Sequence, residues 1–210
     1  MSVPLQSRFP RLWLFVQYVL CGVLFRKRYV LRHLPRFSRV MEVGCSLGLD
    51  SVNFTGNTKE FLGVDIDPDA IATARKRFAA YPHMRFICQD VRTLEGLEGH
   101  FDFILFCGSC HHIPNEELIS IFRSTPRYLA ENGKIVVIDY ATNPAPGLLE
   151  RFILRLEEGE HVRTTQELIS LIQSAGNLEI QELVEFDNPA FIFKWPVMGR
   201  KLSLVMTRSR

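Results

Sequence analysis

Five short apolar runs, separated by segments with helical patterns, dominate the middle of the sequence and restrict the fold more than any other feature. The runs cover residues 39–43, 61–65, 84–88, 101–107 and 134–139. Asp67 and Pro68 are typical of a helix start, and that helix is predicted to end near Ala80. A second helix, predicted over 115–130, contains Pro126, which should kink or shorten it. Strands that alternate with helices in this way predict a parallel sheet covered by helices on both faces.

The carboxyl ends of parallel strands joined by right-handed crossovers meet at one edge of the sheet, where ligands bind. The last third of the chain departs from this alternation. Thr164 and Glu167 have the spacing of a capping box and predict a helix that Gly176 ends. Segments 178–186 and 201–207 follow without a clear helix between them. The predicted fold class is α/β: a doubly wound sheet, mostly parallel, with an antiparallel C-terminal strand pair.

Length, charge and cysteine content narrow the class of protein. The 210 residues fit one domain with a short appendage, and 25 basic against 23 acidic residues give a net charge of +2. Such a balance gives no overall field to recruit nucleic acid, so no nucleic-acid partner is expected. The cysteines are odd in number and lie in apolar sequence, which favours a reducing, cytoplasmic location over a disulfide scaffold. They are Cys21, Cys45, Cys88, Cys107 and Cys110.

An apolar run over residues 12–25 raises the question of a membrane. Basic residues flank it on both sides: Arg8, Arg11, Arg26, Lys27 and Arg28. As a helix the run would reach about 21 Å, short of the roughly 30 Å of a bilayer core, so a spanning segment is not expected. We predict that residues 1–35 form a hydrophobic and basic segment beside a 36–210 domain. The segment either packs on the domain, as a lid over its pocket, or contacts a membrane surface through residues 8–28.

A small-residue turn follows the first strand, where Gly44, Ser46 and Gly48 allow the backbone to bend tightly and stay exposed. Amides at the start of the following helix are placed to hold an anion, such as the carboxylate of an amino-acid-like ligand. Glu42, at the end of the strand, is placed to accept a hydrogen bond from the ammonium group of that ligand. Asp65 ends the second strand, and a carboxylate there can accept two ribose hydroxyls.

Two further observations concern which nucleoside-like ligand binds. The nicotinamide-dinucleotide fingerprint needs a third glycine, but Leu49 follows Gly48 in this chain. Asp90 lies just after the third strand, where an acid can meet an adenine amino group, and capping of a helix or turn is its alternative role. A nicotinamide-dependent oxidoreductase and a ligand-free doubly wound fold remain as alternatives.

Four segments resemble, in order, the motifs of class I S-adenosylmethionine (SAM)-dependent methyltransferases. They are Val40–Gly48, Gly63–Pro68, Phe101–Ile113 with its His-His end, and Asn132–Asp139. The part of the chain after residue 158 is more weakly similar to small-molecule methyltransferases with a type 11-like domain. The resemblance implies a Rossmann-like sheet, SAM as the cofactor, and methyl transfer to a small-molecule acceptor.

The resemblance also implies which residues hold the cofactor. By position they are Glu42, Gly44, Ser46, Gly48, Asp65, Ile66, Asp90, Val91 and Cys107. Ser46 departs from the family, which usually has glycine there, and a positive φ would strain a serine. This departure is expected to affect the affinity for the methionine end of SAM. A non-catalytic binding protein with the same fold is the alternative that Ser46 supports.

Catalysis of methyl transfer consists mainly of holding donor and acceptor in line, because the methyl of a sulfonium cation is already electrophilic. Where the acceptor is a hydroxyl, a base assists, and His111 and His112 lie past the fourth strand at the ligand edge. Packing or positioning of the loop is the alternative role for both histidines. The topology adds four candidates on the acceptor side: Tyr140, His161, Arg163 and Trp195.

Two of the acceptor-side candidates have structural alternatives. Arg163 either meets an anionic substrate or pairs with an acid such as Glu160. Trp195, with Phe191 and Phe193, either walls an apolar acceptor or covers the core. Together with the apolar N-terminal run, these aromatic residues favour a hydrophobic or lipid-like acceptor.

A cysteine and histidine string, Cys107-Gly108-Ser109-Cys110-His111, matches the C-x-x-C-H pattern of haem attachment and offers potential zinc ligands. Adjacent histidines do not readily share a tetrahedron with both cysteines, and no secretory signal accompanies the haem pattern. We therefore predict no metal at this string.

Overall fold

A computed structural model describes residues 23–36, 38–56, 58–142, 160–189 and 197–209. The helices are α1 (Val23–Arg32), α2 (Pro68–Arg77), α3 (Asn115–Ser124) and α4 (Thr165–Ala175). The strands are β1 (Ser38–Val43), β2 (Thr58–Asp65), β3 (Met84–Cys88), β4 (Phe101–Cys107), β5 (Leu129–Ala141), β6 (Leu178–Pro189) and β7 (Val197–Arg208). Short 3-10 helices occur at Ser51–Phe54, Val91–Thr93, Cys110–His112 and Thr125–Tyr128.

The strands form one seven-stranded sheet in the order β3-β2-β1-β4-β5-β7-β6. The first five strands are parallel, and β7 runs antiparallel to both β5 and β6. Val43 pairs with Val64 of β2 and with Phe106 of β4, so the tips of the three central strands lie level. The sheet confirms the predicted Rossmann-like α/β class with its antiparallel pair, and it gathers the carboxyl ends of β1 to β5 at one edge.

The predicted helix signals have clear counterparts in the structure. The Asp67 side chain caps α2 by accepting hydrogen bonds from the amides of Asp69 and Ala70. The helix ends at Arg77, three residues earlier than predicted. The capping box of Thr164 and Glu167 opens α4, and it is confirmed by reciprocal hydrogen bonds.

Proline and glycine end the next two helices. Pro126 lies in the 3-10 turn that follows α3, so the α-helix stops at Ser124 and the predicted shortening is confirmed. Gly176 ends α4 in the left-handed conformation, with φ 80°.

Two connections differ from expectation. No α-helix follows the glycine turn; the chain forms only a 3-10 turn at Ser51–Phe54, in a Ser-Val-Asn-Phe-Thr-Gly segment of low helix propensity. Strand β5 begins five residues before the predicted start at Lys134. A register shift opposite Phe101 and Phe103 accommodates the additional residues. Gly133 is required there, because a Cβ would lie 2.8 Å from the Phe101 carbonyl oxygen.

Hydrophobic cores cover both faces of the sheet. Phe106 packs in one core with Phe122 of α3 and Ile172 of α4. Phe103 packs in the other with Ile71 of α2 and Val30 of α1. This alternation along β4 follows from the two-residue side-chain period of a strand buried on both faces.

The C-terminal part of the predicted 1–35 segment packs on the sheet. Tyr29 of α1 stacks on Phe186 of β6 with ring centroids 3.9 Å apart, and Arg32 pairs with Glu182 at 3.1 Å. Most of the 12–25 run lies outside the described residues, and the division at residue 35 stays a prediction. Among the described helices, none combines the length and apolarity needed to cross a membrane.

Candidate cofactor and acceptor site

The turn after β1 adopts the conformation that its glycines predict. Gly44 and Gly48 have φ values of 72° and 75°. A Cβ on Gly44 would lie 2.5 Å from the Cβ of Ser109, and one on Gly48 would lie 2.5 Å from Cε2 of Phe78. Both positions therefore require glycine for space as well as for backbone freedom. The contact with Ser109 also places the turns after β1 and β4 against each other.

Ser46 has a φ of 46°, which makes it the one non-glycine residue with positive φ in the described part of the chain. This is the strained conformation anticipated for a serine at this position, and it costs roughly 1–2 kcal/mol for an L-residue. The turn is nevertheless formed, because the Ser46 amide donates a 2.7 Å hydrogen bond to the Asp65 carboxylate.

The backbone amides of the turn are used within the protein. Gly44 and Cys45 both donate to the Val64 carbonyl, and Gly48 donates to Cys45. The Ser46 amide is taken by Asp65. No α-helix follows the turn, and these four amides already have acceptors within the protein. Anion binding by the amides that follow the turn stays a prediction.

Asp65 stands at the tip of β2, facing the turn. Its Oδ2 accepts from the Ser46 amide at 2.7 Å, and its Oδ1 accepts from the Asp67 amide at 3.0 Å. Burial raises the pKa of Asp65, and these two amide hydrogen bonds partly oppose the effect. Each carboxylate oxygen has two lone pairs, so Asp65 keeps acceptor capacity for ligand hydroxyls. The next side chain, Ile66, is 76% exposed and presents an apolar surface beside the carboxylate.

Glu42 lies in β1, paired with Gly63 of β2 and Leu105 of β4. Its side chain is only 2% exposed and accepts a 2.5 Å hydrogen bond from the Ser51 hydroxyl. Ser51 is thus a contact that the sequence did not suggest. The predicted role of Glu42 toward a ligand ammonium group stays a prediction.

Asp90 caps a 3-10 turn, and capping is the alternative role predicted for it. Its carboxylate accepts from the Arg92 amide at 2.8 Å and pairs with the Arg92 guanidinium at 2.5 Å. The hydrogen bond from Arg92 lowers the pKa of Asp90. Val91 and Cys107 are buried, and contact of these three residues with the cofactor stays a prediction.

The His-His turn after β4 is anchored on Asp139 of β5, a residue that sequence reasoning did not select. Asp139 is 2% exposed and accepts from the Cys110 amide at 2.7 Å, from His111 Nδ1 at 2.5 Å and from the Tyr140 amide at 2.7 Å. Burial alone would raise the pKa of Asp139, but His111 and the two amides hold it at about 2. Asp139 is therefore an ionised carboxylate at neutral pH.

The two histidines lie in different environments. His111 is buried, and its Nδ1 forms a hydrogen bond with Asp139. This contact fits the alternative role predicted for His111, which is to position the loop. His112 is exposed, and its ring centroid lies 4.1 Å from that of His111. Of the two, His112 is the one that solvent and small molecules can reach.

Tyr140 is buried at the end of β5, where its ring meets the His111 ring edge-on at 5.1 Å. The Nζ of Lys201 lies 4.2 Å from the Tyr140 ring centroid, and Lys201 is 1% exposed. Sequence reasoning missed Lys201, because its position depends on the antiparallel pairing of Tyr140 with Lys201 across β5 and β7.

The remaining acceptor-side candidates fall in three situations. The His161 amide donates to the His111 carbonyl at 3.0 Å. Arg163 is buried and donates to carbonyls of the His-His turn rather than pairing with Glu160. Trp195 lies outside the described residues.

The cysteines of the C-x-x-C-H string are buried and reduced. Cys107 and Cys110 are free thiols with exposures of 7% and 1%. Burial raises the pKa of Cys110 well above its ordinary value, and nearby Asp139 raises it further. The burial of both thiols and the raised pKa of Cys110 are typical of cysteines that pack in the core as small apolar groups.

Comparison with known proteins gives a consistent picture. Residues 40–133 match the family model described as a methyltransferase domain. The Bacillus subtilis protein YqeM, provisionally named a methyltransferase, is 24% identical over 108 residues. These residues are 50% of this chain and 44% of YqeM, so the chain spans less than half of this curated relative.

Solved structures share the fold over most of the chain. The PH0226 protein of Pyrococcus horikoshii has a TM-score of 0.69 at 18% identity, and 89% of each chain is covered. The N-methyltransferase NodS of Bradyrhizobium japonicum, solved with S-adenosylhomocysteine (SAH), has a TM-score of 0.67 at 17% identity, covering 90% of this chain and 86% of NodS. The geranyl diphosphate C-methyltransferase of Streptomyces coelicolor has a TM-score of 0.71 at 15% identity, covering 89% and 76%.

Proposed function

We propose that this chain, whose residues 40–133 match a methyltransferase-domain family model, is a class I SAM-dependent methyltransferase that transfers a methyl group from SAM to a small-molecule acceptor. One observation carries the proposal. The Asp65 carboxylate at the tip of β2 is joined by a hydrogen bond to the Gly44–Gly48 turn at the tip of β1. A carboxylate and a tight turn at adjacent strand tips form a site for a nucleoside that carries an amino-acid end.

The residues at this edge fit SAM. Gly44 and Gly48 let the turn pack closely on Ser109 and Phe78, which fixes its position beside Asp65. Asp65 has acceptor capacity for ribose hydroxyls, and the exposed Ile66 beside it offers an apolar surface for the adenine ring. Glu42, Asp90, Val91 and Cys107 complete the proposed set.

Bound SAM supplies an electrophilic methyl group, and the protein supplies orientation and a place for the acceptor proton. His112 accepts that proton where the acceptor is a hydroxyl or an amine, since its ring is exposed at the ligand edge. His111 and Asp139 fix the turn that carries His112. Tyr140 and His161 lie near the same turn and line the acceptor side.

We propose a hydrophobic acceptor. The solved neighbours with this fold include a geranyl diphosphate C-methyltransferase and the N-methyltransferase NodS. The sequence adds apolar side chains in the run over residues 12–25 and in the aromatic residues Phe191, Phe193 and Trp195. This composition favours an acceptor with a hydrocarbon body.

We further propose a cytoplasmic protein that contacts an anionic membrane surface through residues 8–28. Lys27 and Arg28 are exposed on α1, and the apolar run directly precedes them. Vesicle sedimentation tests this with the full chain and vesicles of phosphatidylserine and phosphatidylcholine. Changing Arg26, Lys27 and Arg28 to Gln should weaken binding by about 1 kcal/mol per residue. The membrane proposal is contradicted if the wild type and the Gln variant bind the mixed vesicles equally. It is also contradicted if the wild type binds vesicles of pure phosphatidylcholine as well as it binds the mixed ones.

Binding and turnover measurements test the methyl-transfer proposal. Titration calorimetry should show binding of SAM and SAH and none of NAD. A panel of hydroxylated and amine-bearing hydrophobic acceptors, assayed with SAM labelled in the methyl group, should yield a labelled product. Binding of NAD in place of SAM supports the oxidoreductase alternative. Binding of SAM without label transfer to any acceptor supports a non-catalytic binding protein.

A further inference from the structure

The turn that carries His111 and His112 is held at both ends by side chains of opposite charge. It is a short 3-10 helix, Cys110–His112, with Ile113 as its C-cap; the Cys110 amide donates to Asp139, and the carbonyls of Cys110 and Ile113 accept from Arg163. At the amide end, the Asp139 carboxylate accepts from the Cys110 amide at 2.7 Å. An anion at this end and a cation at the other match the polarity of a helical turn.

Arg163 supplies the cation at the carbonyl end. Its Nη1 donates to the Cys110 carbonyl at 2.8 Å, its Nη2 to the Ile113 carbonyl at 2.5 Å, and its Nε to the Asn115 side-chain oxygen at 2.8 Å. Each of the three guanidinium nitrogens therefore has a partner in the turn or in the first residue of α3. The planar fork of arginine directs donors from three separate nitrogens to these acceptors, whereas lysine has a single nitrogen.

The backbone of Arg163 is itself fixed to the sheet. Arg163 forms a parallel bridge with Ala141 at the end of β5, and its carbonyl accepts from the Thr142 amide at 3.0 Å. Two residues earlier, the His161 amide donates to the His111 carbonyl at 3.0 Å. The residue is 7% exposed, so its hydrogen bonds are shielded from water. A rigid, buried guanidinium thus connects the sheet edge to the His-His turn.

We infer that Arg163 is a positioning residue, which holds the exposed His112 at the acceptor by fixing the carbonyl end of its turn. The inference rests on the proposed function, and it gives Arg163 a role other than contact with an anionic substrate. Each of its guanidinium nitrogens donates to the protein, to the Cys110 and Ile113 carbonyls and to Asn115, so the side chain already serves to hold the turn.

Kinetic comparison of Arg163→Ala with a matched arginine variant tests the inference. Arg208 also donates to two backbone carbonyls, those of Pro126 and Leu129, but it lies at the far end of β7 from the site. Arg163→Ala should lower kcat about a hundredfold, the loss expected for a displacement of about 1 Å, and leave the Kd for SAM near that of the wild type. Free guanidinium at low concentration should restore part of the kcat. Arg208→Ala should keep the wild-type kcat.

Two milder variants keep the test decisive if Arg163→Ala fails to fold. Asn115→Ala removes the acceptor of Nε alone, and Arg163→Lys keeps the charge without the fork. Both should lower kcat by less than Arg163→Ala does, with SAM affinity unchanged. A purely structural role instead predicts that any of these variants that folds keeps the wild-type kcat.

A spectroscopic readout separates this inference from the proposed function. The ring-proton resonances of His112, followed by nuclear magnetic resonance, should shift in the Arg163 variants and stay unchanged in Arg208→Ala. If the wild type binds no SAM or transfers no methyl group, the proposed function fails, but the resonances still report on the turn. The inference is overturned if the His112 resonances, or kcat where there is turnover, are the same in the folded Arg163 variants as in the wild type.

Discussion

Asp139 and His111 form a 2.5 Å hydrogen bond between two side chains that are only 2% and 4% exposed. The pair lies where β5 ends and the turn after β4 begins, at the edge of the sheet that also carries the Gly44–Gly48 turn and Asp65. A buried carboxylate with a low pKa is therefore part of what fixes the geometry of this edge.

Asp139→Asn removes that charge while keeping the shape of the side chain. The pKa of Asp139 is about 2, below that of an unfolded aspartate, so its ionisation stabilises the fold above about pH 4. That stability is lost as the pH falls through about 2, and it amounts to on the order of 2 to 3 kcal/mol. The free energy of unfolding in urea should decrease between pH 4 and pH 2 in the wild type. The decrease over the same pH range should be smaller in Asp139→Asn.

Asp187 provides the control for this measurement, because it is an exposed aspartate on β6. Asp187→Asn should retain the pH dependence of the wild type. An Asp139→Asn protein whose unfolding free energy keeps the wild-type slope between pH 4 and pH 2 would contradict the account of the pair.

Gly44→Ala places a methyl group against Ser109 and forces alanine to a φ of 72°. Crowding and backbone strain together should destabilise the protein by about 2–4 kcal/mol. Gly56 serves as the control, since a Cβ there would have no neighbour within 4 Å. Urea unfolding should show Gly56→Ala near the wild type; equal free energies for the two alanine variants would mean that the turn is not packed as described.

Ser46→Gly should stabilise the chain, because glycine adopts a φ of 46° without the steric cost that serine bears. Relief of about 1–2 kcal/mol of strain exceeds the roughly 0.5–1 kcal/mol entropic cost of glycine. Ser46→Ala, which removes the hydroxyl but keeps the strain, isolates the backbone effect. Melting temperatures that place Ser46→Gly at or below Ser46→Ala would show that the turn is not strained at this residue.

His112→Ala should lower kcat by about a hundredfold or more with acceptors that lose a proton, the range for a positioned general base. Its Kd for SAM should stay near that of the wild type, because the exposed ring is proposed to contact the acceptor and not the cofactor. His100→Ala is the control, since His100 precedes the other end of β4 and contacts Glu60. Equal steady-state rates for the two variants would remove His112 from the reaction.

Local signals predicted the elements that depend on neighbours in sequence. The Asp67 cap, the Thr164 and Glu167 box, and the shortening at Pro126 each involve a few consecutive residues, and all three are present. The alternation of strands and helices fixed the sheet edge at which Asp65 and the glycine turn meet.

Contacts between distant segments could not be predicted in the same way. Lys201 reaches Tyr140 only through the antiparallel register of β5 and β7, and Arg163 reaches Cys110 across 53 residues of sequence. The sequence contains only a weak indication of the role of Asp139, namely that an acidic residue ends an apolar strand. The α-helix predicted after Gly48 does not form, for a local reason: the segment that begins at Ser51 has a low helix propensity and forms a 3-10 turn.

Binding of SAM to Asp65 variants tests the central claim most directly. Asp65→Ala removes the proposed acceptor for ribose hydroxyls. Asp102→Ala removes a carboxylate at the opposite edge of the same sheet, where it pairs with Arg39. Titration calorimetry should show SAM affinity lowered about 10- to 100-fold in Asp65→Ala, as expected for the loss of hydrogen bonds to a charged group. Asp102→Ala should bind SAM as the wild type does. Equal SAM affinity in the wild type and a folded Asp65→Ala would contradict the placement of the cofactor at this edge.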